Sequence, residues 1–177
     1  MPTLNDTAVD TLTWYSAKGV KQHFELRRDD AVIARMTFDP SPAVEWEYRA
    51  PHAALVVASD ANWRMRVVRR GFLGLKSNIH VEGTNTGVLE AGYFLCRGTL
   101  AVSQMPNHRW TGGIWEGSSD SFTHPEGFPV IRLDRGSYFD DVKARVAVLA
   151  GSTPPRDVAL LAALGLYTRL LMNKTCE

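Results

Sequence analysis

Arg64, Arg66, Arg69 and Arg70 crowd into one short segment, Trp63-Arg64-Met65-Arg66-Val67-Val68-Arg69-Arg70, and Lys76 follows a few residues on. Arginine carries a planar, permanently charged fork that grips phosphate oxygens two at a time, so such a cluster could receive phosphate groups. Read as a strand, the segment puts Trp63, Met65 and Val67 on one face and Arg64, Arg66 and Arg70 on the other, interrupted by Val68. Arg69 and Lys76 fall near its far end. The apolar residues Phe72, Leu73 and Leu75 of the adjoining loop could dip into lipid beside the cations. The competing reading is a solvated outer face whose arginines pair with Asp or Glu on neighbouring strands, the ordinary state of exposed charge.

Other residue types that do chemistry are present without the spacing that chemistry needs. His23, His52, His80, His108 and His124 show no H-x-H or H-E-x-x-H pattern and no cysteine at ligand spacing, which favours structural or surface roles. His108, in the turn Met105-Pro106-Asn107-His108-Arg109, reads as exposed. Gly117-Ser118-Ser119-Asp120-Ser121 reads as a polar turn and lacks the G-x-S-x-G elbow of serine hydrolases. The loops Gly71–Gly74 and Gly83–Gly87 match neither phosphate-binding fingerprint, and no βαβ unit surrounds them. The acid pairs Asp29-Asp30 and Asp140-Asp141 sit in turns, where Asp is common for backbone reasons. Trp110 and Trp115 bracket a glycine pair and could line a ligand mouth, although core packing accounts for them as well. No catalytic or metal-ligating residue is assigned, and no cofactor is expected.

The chain has 177 residues, 45% hydrophobic and 22% charged, with a net charge of +1. That near-neutral balance gives no argument for nucleic acid as a partner. Its two cysteines make no disulfide framework, and the first residues lack both the basic and the apolar parts of a signal peptide, so a cytoplasmic setting is expected.

Short apolar-rich runs alternate with Gly, Pro, Asn and Asp from Leu12 to about Leu149, the pattern of an antiparallel all-β domain. The predicted strands are Leu12–Ser16, Gln22–Arg27, Ala31–Phe38, Val44–Arg49, Ala53–Ala58, Trp63–Arg69, Ser77–Glu82, Val88–Cys96, Thr99–Gln104, Trp110–Glu116, Phe128–Leu133 and Val142–Leu149, with a helix as the alternative over the last. The segment from Pro154 to Met172 reads instead as one helix, about 28 Å long at 1.5 Å per residue. It is apolar on all sides, so it must be buried all round or sit in a membrane. Its uninterrupted run, Val158 to Thr168, is too short for a bilayer, and no transmembrane span is expected. An eight-stranded barrel is filled by its own side chains, whereas eleven or so strands can enclose a helix. The expected architecture is therefore mainly β, one domain over residues 1–177. It is a closed antiparallel barrel of about twelve strands around a buried C-terminal helix.

The run of short strands, the Trp63–Phe72 segment and the closing hydrophobic helix resemble the tubby-like barrels, which include tubby C-terminal domains, phospholipid scramblases and LURP-one-related proteins. The resemblance covers most of the chain as pattern and order, and the branch is not legible. No cysteine-rich palmitoylation cluster or calcium-binding segment of the scramblase kind is present. The resemblance implies a helix along the barrel axis and suggests phosphoinositide or membrane binding, as some members show.

Two main functions from different classes follow, with an enzyme whose site assembles from separated strands as a third. One is a non-enzymatic module that docks at anionic membrane lipid or a phosphorylated partner through Arg64, Arg66, Arg69, Arg70 and Lys76. The other is a barrel that carries a small apolar ligand in an internal cavity, with the helix outside it or across its mouth.

Overall fold

The computed structural model describes residues 8–16, 23–38, 53–70, 76–92, 96–112, 119–135 and 142–173. Among the described residues twelve strands are formed: β1 (Asp10–Ser16), β2 (His23–Arg28), β3 (Ala31–Phe38), β4 (Ala53–Ala58), β5 (Asn62–Arg70) and β6 (Lys76–Gly83), then β7 (Gly87–Gly92), β8 (Arg97–Val102), β9 (His108–Thr111), β10 (Asp120–Thr123), β11 (Pro129–Arg135) and β12 (Val142–Val148). One helix, α1 (Pro155–Asn173), follows. Each strand pairs antiparallel with its neighbour in sequence, and β1 pairs with β12 to close the barrel. Closure leaves no free sheet edge.

Strand alternation sorts side chains as the sequence pattern requires. In β3, Ala34, Met36 and Phe38 are buried while Arg35 is exposed, and in β4 Ala54 and Val56 are buried while Leu55 and Val57 are exposed. The tight connections, at Asp29-Asp30, Ser59–Ala61, Thr84–Thr86, Ser103–Asn107 and His124–Phe128, all lie at the barrel end where α1 begins. Gly83 is required at one of them. Its φ is 138°, and a Cβ there would stand 2.3 Å from the carbonyl oxygen of Asn62.

The helix occupies the barrel axis. It contacts both β4 and β10, which are six strands apart in either direction round the ring. Every residue from Val158 to Arg169 is buried. Trp14 on β1 donates its indole N–H to the Ala162 carbonyl at 3.2 Å, and the Phe38 ring on β3 stacks on Tyr167 at 5.9 Å. Gly165 lets α1 approach β11 closely, since a Cβ there would lie 2.7 Å from the methyl groups of Leu133. At the start of α1 the Pro154 carbonyl accepts from the amides of Asp157 and Val158, so Pro155 takes the first helical position, where its missing N–H is no loss. Burial pushes the pKa of the Asp157 carboxyl up, against the neighbouring Arg156. No described helix is long and apolar enough to cross a membrane.

Several sequence expectations are corrected. The polar segment containing Asp120 and Ser121 is not a turn there, because Asp120–Thr123 forms β10 between β9 and β11. Cys96 does not end a strand: β7 stops at Gly92, and Cys96 sits in a turn with φ 47°. The strand expected at Val44–Arg49 lies outside the described residues.

Candidate functional site

The β5–β6 ladder fixes which residues of the basic segment share a face. Trp63 stands opposite Gly83 and Met65 opposite Val81, both turned to the core with no exposed surface. Trp63 is further held by its indole N–H, which donates to Asn85 Oδ1 at 3.2 Å, while Asn85 Nδ2 donates to the Ser103 carbonyl at 2.8 Å. The strand is thus pinned from inside, and its outer side chains stand on a rigid wall.

On the outside, Arg64 lies opposite Glu82 and Arg66 opposite His80, both arginines exposed, with exposed Val68 next along the strand. Arg66 approaches Glu82 at 3.9 Å with both side chains more than half exposed, a pair worth little in water. Arg70 is in register with Lys76, which is exposed. Arg69 is in register with buried Ser77, an odd position of β5 like Trp63 and Met65. The side chains of Arg69 and Arg70, and the loop with Phe72, Leu73 and Leu75, lie outside the described residues.

Apolar side chains share this outer face. Leu55, 45% exposed, is directly opposite Arg64, and Val57, 47% exposed, is opposite Asn62. With Val68 they account for half of the six large hydrophobic residues found exposed among those described.

Charge is distributed unevenly round the barrel. Residues 62–111, which build β5 to β9, contain seven Lys or Arg, two Glu and no Asp, a net of +5. The remainder of the chain holds thirteen Lys or Arg against seventeen Asp or Glu, a net of −4. The overall +1 conceals this asymmetry, and a segment-by-segment count would have shown it. Two further exposed cations of the basic flank, Arg97 on β8 and Arg109 on β9, were missed by sequence reasoning because they are remote from Arg64 in the chain.

The remaining candidates divide otherwise. His108 is buried, not exposed, with its ring edge-on to His124 at 6.0 Å, and His124 stacks on Phe128 at 4.4 Å. Burial, helped by His124 and opposed by the Pro106 carbonyl, holds the His108 pKa below its ordinary value. Asp120, fully buried, accepts from Arg169 Nε at 2.7 Å. Trp110 is buried in the wall, and Trp115 and His52 lie outside the described residues. No group of three or more His, Cys, Asp or Glu is gathered as a metal site among the described residues.

A half-open groove of about 390 Å³ lies at the rim where α1 begins, lined by Val9, Leu12, Ile33, Val148, Pro155 and Val158, with the Arg28–Asp10 ion pair beside it. No family model matches the chain, and comparisons with curated proteins and with solved structures return no match.

Proposed function

We propose that the protein is a non-enzymatic module that docks at the anionic surface of a membrane, in a cytoplasmic setting, through the basic flank centred on β5. The observation that carries this reading is the outer face of β4 to β6, where Arg64, Arg66 and Lys76 are exposed beside Leu55, Val57 and Val68. Cations attract a negative headgroup layer, each contributing about 1 kcal/mol near the surface, and aliphatic side chains between them gain by leaving water. A phosphorylated partner protein is the rival for the same cations, and the exposed aliphatics favour the membrane. Membership of the tubby-like barrels belongs to this proposal, supported by a closed twelve-stranded barrel with an axial C-terminal helix.

Flotation with neutral and anionic liposomes tests the reading. Wild-type protein should float only with anionic vesicles, and Arg64→Glu with Arg66→Glu should remain in the aqueous fraction. Equal flotation of the double variant, or none of either protein, would contradict it.

A second reading, the small-ligand carrier, draws support from the rim groove rather than from the axis, where α1 sits. Mass spectrometry of an organic extract of the purified protein would reveal a bound apolar molecule.

A further inference from the structure

The strand registers join cations that are far apart in sequence. Arg70 stands opposite Lys76, Lys76 opposite Gly92, and Gly92 opposite Arg97, one continuous row running round the barrel across β5, β6, β7 and β8. Neighbouring strands are about 4.8 Å apart, so the Cα atoms of Lys76 and Arg97 are separated by about 10 Å. Gly92 alone lies between them. Among the described residues, a Cβ built on Gly92 meets only the Arg97 carbonyl oxygen, at 3.4 Å, and both flanking side chains are exposed.

We infer that Lys76, Gly92 and Arg97 form a seat for the phosphate of an anionic lipid headgroup. The glycine puts no side chain between the two cations, so a phosphate can lie between them above the sheet, with the Arg97 fork gripping it from one side and the Lys76 ammonium neutralising it from the other. Glu90 is two residues before Gly92 and on the same face. It offsets one of the two cations, so neither suffices alone. A closed barrel offers no strand edge for an extended peptide, which favours a headgroup over a phosphorylated segment. The inference rests on the membrane-docking reading and deepens it: the contact runs across strands, not along β5, and includes a residue on β8.

The test is flotation with phosphatidylcholine vesicles containing phosphatidylserine, using full-length protein with folding checked by circular dichroism. Arg97→Glu and Lys76→Glu should each weaken binding about thirtyfold, the effect of reversing one cation near an anionic surface. Gly92→Leu changes no charge and should weaken binding severalfold by filling the seat. Arg145→Glu alters net charge equally but lies on β12, six strands from β6, and should bind as wild type does. If Arg97→Glu and Gly92→Leu bind normally while Arg64→Glu with Arg66→Glu does not, the seat is wrong and the docking reading stands. Equal weakening by Arg145→Glu also overturns the seat. Failure of wild-type protein to bind any vesicle overturns both, as does binding of a phosphoserine peptide without vesicle binding.

Discussion

Arg169 on α1 donates through Nε to Asp120 on β10 at 2.7 Å, both side chains buried, which ties the axial helix to a four-residue strand of the wall. Removing one member of a buried ion pair takes away the opposite charge that offsets the other in the core. Asp120→Ala should therefore lose about 3–5 kcal/mol of stability by urea unfolding. Asp120→Leu with Arg169→Met should recover much of that, because neither member of the pair then has to bury its charge. A single variant within about 0.5 kcal/mol of wild type would show that the pair does not register the helix.

The axial position of α1 makes its apolar residues intolerant of charge. Leu161→Asp should yield no folded, soluble protein, since an unpaired carboxylate would sit among fully buried side chains. The milder Leu164→Ala should fold with a loss of about 2–5 kcal/mol from the cavity it leaves. A folded Leu161→Asp protein would mean that the helix does not run through the barrel.

His108 makes stability depend on pH. Burial lowers its folded-state pKa, so below about 6.5 the unfolded chain takes up a proton that the folded protein refuses. Stability from this group is present above that pH and declines as pH falls towards the folded value, by up to about 1.4 kcal/mol per unit. His108→Gln should flatten the urea-midpoint profile as pH falls below about 6.5. An unchanged slope would assign the acid sensitivity to other groups.

Asn85 separates stability from docking. Asn85→Ala removes the partner of the Trp63 indole and of the Ser103 carbonyl, and should destabilise by about 1–3 kcal/mol. Vesicle binding below the unfolding temperature should be unchanged, because the outer face of β5 keeps its side chains. A loss of binding in the folded variant would mean that the inner anchor shapes the docking face.

Much of this architecture is legible wherever one physical signal dominates. Trp63, Met65, Arg64 and Arg66 alternate with period two, and the structure turns the first pair inward and the second outward. The all-round apolarity of Val158–Thr168 indicates burial on every side, and the barrel supplies it. Legibility fails where a residue is rescued by a distant partner. Asp120 in a Gly-Ser-rich segment suggests a turn until Arg169, forty-nine residues on, neutralises it in the core. His108 follows Pro106 and Asn107 and suggests exposure, yet pairing of β8 with β9 carries it inside. The Lys76–Gly92–Arg97 row depends on two ladder registers, which neither spacing nor composition encodes.

Salt dependence of wild-type binding to anionic vesicles tests the central claim most directly, since attraction between exposed charges is screened within about 10 Å at 0.1 M ionic strength. Flotation should be strong at low salt, at least about tenfold weaker at physiological salt, and absent with phosphatidylcholine alone. Binding indifferent to salt, or equal on neutral vesicles, would contradict docking through the basic flank.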